Sequence, residues 1–508
     1  MKHLLASASL AALLCFGGAA HAQKVVTIGL DANVVGLDPG DLNDNLSLSA
    51  TRTMYQGLFG FDKEMKIHPV LATGVDASED ATEFTFHLRD GVKFQDGTPF
   101  DANAVKATFE RLVNPANHLK RGSLFAPLKT VEVVDPMTVK MTLSAPFGAW
   151  VNTMAHPAAA ILSPAAIQKY GADINRHPVG TGPYMFKSWP SPDTVNFEKN
   201  PNYWKPGLPK VAGISIRSVP ESGSRIAMLQ TNEAQLAFPL PVELAAAMQR
   251  NPNLSVVDAK SIYAQYVALN TMRKPFSDPR VRQALNYAVD KQAMIKVVFN
   301  GFAQPLDSPL PPLLNGYTKE GSYPYDPAKA KQMLAEAGYP NGFESTLWGG
   351  NSTATQRAMQ FLQQQFAAVG VKVQVEPLES GVAEAKIWSV QKPEDATTLM
   401  QYVGWSASTG DADWGLRPLL DSHSFPPKLF NTAYFSDPAF DKDISDGLAT
   451  ADPSKRQTAY AAAQAEAWQQ APWVFLVSPD NVWVQTKTLS GIYVMPDGQI
   501  LTEDAELR

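Results

Sequence analysis

Residues 84–105 read FTFHLRDGVKFQDGTPFDANAV, and the reading of this stretch decides the fold. FTFHL and VKF carry the alternating apolar pattern of short strands. Asp90-Gly91 between them suits the φ > 0 positions of a tight hairpin. A second turn is expected at Asp96-Gly97, and a helix start at Asp101. On these grounds the segment is a β-β-α surface unit, which carries no function of its own.

Upstream, Met1-Lys2-His3 is a short basic start, and residues 4–16 (LLASASLAALLCF) are apolar but too short to span a bilayer. Small residues follow, ending Ala20-His21-Ala22. This is the pattern of a cleaved secretory signal, with a mature chain expected to begin at Gln23. Acylation of Cys15 is the competing reading, but Leu14 stands before it where a small residue is wanted. A buried N-terminal helix is the third. Cys15 is the single cysteine. The mature chain therefore forms no disulfide, and stability must come from core size. The formal charge of -6 becomes more negative when Lys2 leaves with the signal. Without a Lys/Arg-rich run to neutralise phosphates, nucleic acid is excluded as a partner.

A chain of 508 residues exceeds one hydrophobic core, so two or three domains are expected. Asp-Pro recurs at Asp278-Pro279, Asp326-Pro327, Asp437-Pro438 and Asp452-Pro453. Each sets an N-cap acceptor before a proline at the first helical position. Val281, Ala284, Leu285 and Ala288 then follow helical spacing, as do Ala330, Met333, Leu334 and Ala337 before Gly338. Met359, Leu362, Phe366 and Val369 mark another helix, stopped by Gly370, and the strand VKVQV follows at 371–375. Helices alternating with strands argue for an α/β protein.

Catalytic constellations are weak. Gly180-Thr181-Gly182 lacks the third glycine and the helix of a dinucleotide site and reads as a tight turn. His68, His87, His118, His156, His177 and His423 show no i, i+4 pairing, so neither a metal site nor a cofactor is expected. No G-x-S-x-G elbow occurs. Asp411 and Asp413 could be imagined as a glycosidase pair, but they lie in a Gly-containing loop and read as turn formers or ligand contacts. That loop, GWSASTGDADWGL (404–416), sets Ser406, Ser408 and Thr409 between Trp405 and Trp414. Hydroxyls and backbone amides between indole walls suit a small-molecule site, and a structural loop with core tryptophans is the alternative.

As a whole string, residues 84–105 closely resemble the signature segment of the extracellular solute-binding proteins, family 5, of peptide ABC importers. The resemblance extends along the mature chain. VTIGLDANVVGLDPGDLND (26–44) is similar to the family's opening strand and loop, and MYQGLFGFDKEM (54–65) to the helix that follows. HPVGTGPYMFKSW (177–189) resembles its G-T-G-P-Y element, and NPNYWKPGLPKVAGISIR (200–217) its next hairpin. ALNTMRKPFSDPRVRQALNYAVDK (268–291) resembles the crossing into the second lobe, and YDPAKAKQMLAEAGYPNGF (325–343) a further segment. Within the family, GLFGFDKEMK (57–66), NPANHLKR (114–121), MLQTNEAQLAFPLP (228–241), GWSASTGDADW (404–414) and LFNTAYFS (429–436) are most like the members that bind glutathione.

The resemblance implies an α/β, two-lobed periplasmic clamshell of the class II, cluster C type. Lobe I would comprise 23–61, 178–270 and 478–508, with an inserted subdomain over 62–177, and lobe II would comprise 271–477. The chain would cross between lobes near 267–271 and 474–477. The protein would be a monomer, not an enzyme, that captures glutathione or a small peptide in the cleft and delivers it to an integral-membrane permease. A dipeptide, nickel chelate, haem or oligosaccharide remains open as the solute, and a secreted hydrolase is the remote alternative. Ligand contacts are expected from Asp44, Asn45, Arg121, Phe238, Arg357, Tyr402, Trp405, Ser406, Ser408, Thr409 and Asp411. Glutathione's two carboxylates call for arginine, with Arg52 and Arg273 as further candidates. Ser408 stands three residues after Trp405, where general peptide-binding relatives carry the aspartate that holds a peptide's α-ammonium.

Overall fold

The computed structural model describes residues 24–508. The proposed signal peptide and Cys15 lie outside the described residues. Two large mixed sheets carry the architecture. The first runs in the order Leu254–Ala259, Asn481–Thr486, Leu236–Ala237, Val25–Leu30, Gly213–Ser218, Thr194–Lys199, Tyr184–Ser191. Val25–Leu30 pairs in parallel with both its neighbours, and the outer pairs are antiparallel. The second runs Ala303–Pro305, Trp473–Pro479, Tyr263–Leu269, Met400–Ser406, Phe343–Gly350, Val371–Leu378. Each has its own core. Val26, Ile28, Ile214, Ile216 and Trp483 fill the first. Val267, Leu285, Met359, Phe366, Val371 and Leu476 fill the second. These are lobes I and II.

The four Asp-Pro caps form as the sequence requires. Asp278 accepts from Arg280 N, Asp326 from Lys329 N, Asp437 from Ala439 N and Phe440 N, and Asp452 from Ser454 N and Lys455 N. Gly370, at φ +89°, follows helix Thr353–Ala367, and strand Val371–Leu378 succeeds it directly.

The opening segment folds differently from a hairpin. Its first part is strand Glu83–Leu88, but both its partners are distant in sequence: Ala72–Ala77 and Thr138–Leu143, antiparallel. With Leu128–Asp135 they make a four-stranded sheet. Residues 92–94 form no strand beyond an isolated bridge from Lys93 to Pro99. Burial explains this. Phe84 and Phe86 are almost fully enclosed, as are Val92, Phe94 and Phe100, so the strand and the turn that follows it feed one shared core. Gly91 and Gly97 do adopt φ +76° and +85°, and Asp101 caps helix Ala102–Val113. Nor is 54–65 helical: the helix is Asn45–Arg52, and strand Phe59–Phe61 follows.

The same segment ties lobe I together. Gln95 Nε2 donates to Met54 O (3.0 Å) and Tyr184 O (2.8 Å), while Gln95 Oε1 accepts from Gly180 N. A Cβ on Gly180 or Gly182 would fall 2.4 or 2.5 Å from the Met54 backbone. These glycines therefore serve close backbone approach more than turn geometry.

The crossings between lobes lie closer to the ends of the strands than the sequence suggested. Leu254–Ala259 belongs to lobe I and Tyr263–Leu269 to lobe II, so the chain passes over at 260–262, upstream of 267–271. It returns between Trp473–Pro479 and Asn481–Thr486, at Asp480, downstream of 474–477. Residues 267–269 and 474–477 are instead buried ladder strands of lobe II. Among the described residues no helix is long and apolar enough to cross a membrane.

Candidate functional site

Strand Met400–Ser406 of lobe II ends in the Trp405 loop. Ser408 N donates to Ser406 O at 2.8 Å and Gly410 N to Ala407 O at 2.7 Å, coiling the chain tightly. Gly410 sits at φ +66°, and a Cβ there would lie 2.7 Å from the Phe61 ring of lobe I. Only glycine meets both demands. From the inserted subdomain, Asn152 Nδ2 donates to Thr409 O at 3.3 Å, and Gly148 N donates to Leu448 O at 2.8 Å. The loop is thus held against the opposite lobe.

Trp405 donates its indole N–H to Trp414 O at 2.7 Å. Its ring packs at 6.0 Å from Trp414 and 5.1 Å from Phe430, and it remains half-buried. Tyr263 lies over Gly404, where a Cβ would come within 2.3 Å of the tyrosine ring. Tyr263 and Phe430 are 36% and 38% exposed, which gives lobe II an aromatic wall beside the loop. Ser406 Oγ and Thr409 Oγ1 are buried with no hydrogen-bond partner among the described residues. Buried hydroxyls ordinarily find partners, and these two have none within the described residues. Ser408 is half-buried beside them.

Several expected contacts are structural instead. Asp411 is fully buried. It caps helix Ala412–Leu420, and its Oδ2 accepts from Arg456 Nη2 at 2.7 Å and Asn315 Nδ2 at 3.1 Å. Asp413 is held by Arg417 through two bonds of 2.7 and 2.8 Å. Neither carboxylate is free for a ligand or for glycosidase chemistry. Tyr402 is buried in lobe II, its hydroxyl 2.5 Å from Gln265 Oε1. Phe238 is buried in the lobe I core, and its backbone N–H donates to Gly29 O. The alternating register of a strand puts Tyr402 on the core side, opposite to what its neighbour Val403 presents.

On lobe I, Asp44, Asn45 and Arg121 come together. Asp44 caps helix Asn45–Arg52 through Ser47 N at 2.7 Å, and Asn45 Nδ2 donates to Asp497 O at 2.7 Å. Arg121 Nε donates to Leu42 O at 2.7 Å and Nη2 to Asn43 O at 3.1 Å. Burial works against the Arg121 charge, and nearby Asp44 opposes that effect. The cluster neighbours the crossings, since Ile262 N donates to Pro496 O and Asn481 Nδ2 to Met495 O.

The remaining arginines part company. Arg357, on lobe II helix Thr353–Ala367, pairs with Glu243 on lobe I helix Val242–Met248, so its partner is the facing lobe. Arg273 is held by the Glu394 and Ala396 carbonyls within lobe II. Arg52 turns toward Asp497 and Gln499 in lobe I. Sequence reasoning missed Glu243, Asn152, Tyr263 and Phe430. Of these only Tyr263 left a trace, the glycine inside the facing strand that marks close approach. Among the described residues no group of three His, Cys, Asp or Glu could hold a metal ion.

Comparison with known proteins agrees with this architecture. The family model "Bacterial extracellular solute-binding proteins, family 5 Middle" matches residues 66–426. The chain is 48% identical over 487 residues to the glutathione-binding protein GsiB of Pectobacterium atrosepticum, covering 96% of this chain and 95% of that one. It is 46% identical over 490 residues to GsiB of Escherichia coli strain K12, covering 96% of each. Among solved structures, HbpA2 from Haemophilus parasuis superposes with TM-score 0.84 at 25% identity, over 96% of this chain and 100% of that one. The periplasmic binding protein DppA from Helicobacter pylori, in complex with the peptide STSA, gives 0.77 at 28%, over 95% and 98%. A match of this length and identity means that the chain belongs to the bacterial extracellular solute-binding proteins of family 5.

Proposed function

We propose that this protein captures glutathione between its two lobes in the periplasm and delivers it to the membrane permease of an ABC importer. It does so as a monomer and without chemistry on the solute. The observation that carries this reading is the lack of a free carboxylate in the Trp405 loop. Asp411 and Asp413 are both consumed by arginines, and position 408 offers a neutral hydroxyl. An ordinary peptide's isolated α-ammonium would be buried here without a countercharge, which is costly. In glutathione the γ-linkage leaves the ammonium beside its own α-carboxylate, so the two charges partly cancel. The full-length likeness to proteins named for glutathione binding supports the same solute.

In this reading Trp405, Ser406, Ser408 and Thr409 form the lobe II side of the cleft, and Asp44, Asn45 and Arg121 the lobe I side. Segments 260–262 and 480 are the hinge, and residues 62–177 form a subdomain that closes with lobe I. The test is calorimetry on ligand-stripped, refolded protein with glutathione, its disulfide and simple α-linked dipeptides, joined to small-angle scattering. Glutathione should bind most tightly of the reduced peptides and compact the protein. Equal affinity for α-linked dipeptides in the same buffer would sink the glutathione assignment.

A further inference from the structure

The inserted subdomain is fastened to lobe I but only rests on lobe II. Both its chain ends run into lobe I. Arg111 pairs with Asp38, Asn175 Oδ1 accepts from Leu37 N and Asp38 N, and Gln95 bonds to Met54 O, Tyr184 O and Gly180 N. Among the described residues, its four-stranded sheet pairs with neither large sheet. The seam with lobe II also encloses cavities. One, of about 260 Å³, lies between Val75, Val151 and Asn152 on one side and Gln457 and Tyr460 on the other. Another, of about 560 Å³, lies between residues 64–67 and 312–315. Fixed cores contain few voids larger than a water molecule. Gaps of this size with polar lining mark a face that docks and parts, as faces between domains do.

Backbone closes the seam. The turn before subdomain helix Trp150–Ala155 meets residues 449–452, which join lobe II helices Pro438–Leu448 and Pro453–Gln470. Gly148 N donates to Leu448 O at 2.8 Å, and a Cβ on Gly148 would run into Thr450 O and Arg456 Nη1. Only glycine lets the two chains approach this far. Lys455 pairs with Glu79 at 3.5 Å on the exposed rim of the seam. The contact reaches the Trp405 loop. Arg456, its side chain 6% exposed beneath this turn, holds Asp411. Asn152 Nδ2 holds Thr409 O, and Gly410 between them abuts Phe61. When the subdomain leaves, Thr409 loses its outside contact and the Arg456–Asp411 pair loses its cover.

We infer that the inserted subdomain is a latch for the Trp405 loop: residues 147–152 dock on residues 448–456 as the lobes close. Gly148 and Asn152 are then positioning residues for solute capture, acting through Arg456 and Thr409 rather than on the solute. This rests on capture in the cleft, but not on which solute is captured. A docked latch must undock before the loop releases its solute. Its strength is therefore read in the dissociation rate more than in the association rate.

The test has one arm without solute and one with it. Carbodiimide joins an amine directly to a carboxylate it touches. In the ligand-free, unaltered protein it should yield a Glu79–Lys455 cross-link, identified by mass spectrometry after digestion. Gly148→Val should lose that product and keep its circular-dichroism spectrum. With glutathione, Gly148→Val should raise the dissociation rate about ten-fold or more and move the association rate by less than about three-fold. Asn152→Ala should raise the dissociation rate a few-fold, and it replaces Gly148→Val in both arms if that variant does not fold. No cross-link in the unaltered protein, or one that the variant leaves at full yield, overturns the latch whatever the solute. An affinity loss carried by the association rate, or no loss, overturns it too. A cross-link lost in the variant, with no glutathione bound by the unaltered protein, upholds the latch and sinks the glutathione assignment instead.

Discussion

Lys260 Nζ lies 3.0 Å from Asp480 Oδ2, joining the two places where the chain passes between lobes. Ser261 Oγ adds a hydrogen bond to Pro479 O across the same gap. The two crossings are thus tied to each other, and both lie between the two large sheets rather than within either.

Asp480 is nearly enclosed, its side chain 3% exposed against 51% for Lys260. Burial raises its carboxyl above the ordinary range, and Lys260 only partly opposes this. A raised acid pKa in the fold means stability that is present below the unfolded pKa and lost as pH rises through the folded one. Asp480→Asn should remove that loss. Denaturant melts across pH 3–7 should show the variant gaining on the wild type as pH rises, and a difference that is flat or opposite in sign contradicts the assignment.

The Arg456–Asp411 pair anchors the C-terminal end of the Trp405 loop. Asp411→Ala leaves a buried guanidinium without its partner, and breaking such a pair costs about 3–5 kcal/mol. Thermal melts should show a large destabilisation, and glutathione binding should fail with it because helix Ala412–Leu420 loses its cap. A stable variant with altered affinity alone would instead mean that Asp411 contacts solute.

Arg357 and Glu243 meet across the two lobes, and their side chains are 42% and 47% exposed. An exposed pair contributes roughly 0–1 kcal/mol and is screened by salt. Arg357→Ala and Glu243→Ala should each weaken glutathione binding by a few-fold at low salt and hardly at all at high salt. The exchanged double variant, Arg357→Glu with Glu243→Arg, should recover most of the loss. Calorimetry over a salt series checks this.

Arg121 differs from Arg357 because it is held within lobe I, on the Leu42 and Asn43 carbonyls. Arg121→Ala should weaken glutathione binding by roughly 2–5 kcal/mol, at any salt, with an unchanged circular-dichroism spectrum. Unaltered affinity would remove it from the site.

Ser408→Asp should lose glutathione affinity through carboxylate repulsion, a like-charge cost of several kcal/mol, and gain affinity for α-linked dipeptides. Parallel titrations of both ligands read the two changes. A variant that weakens both equally would indicate a disturbed loop rather than a changed specificity.

Local chemistry was legible because it is written in adjacent residues. The Asp-Pro caps, the Asp101 cap and the φ > 0 glycines at 91 and 97 each depend on a few consecutive positions, and all formed. The long resemblance across the chain similarly fixed the two-lobed architecture. Partners distant in sequence were not legible. Strand Glu83–Leu88 passed over the nearby VKF for Thr138–Leu143 because its phenylalanines needed a shared core. Asp411 looked like a free carboxylate until Arg456, from another helix, came to lie against it. Arg357 found Glu243 only when the lobes faced each other. A carboxylate's role depends on which charge reaches it and how much water is left between them. Sequence fixes which charges exist, and packing alone decides which of them meet.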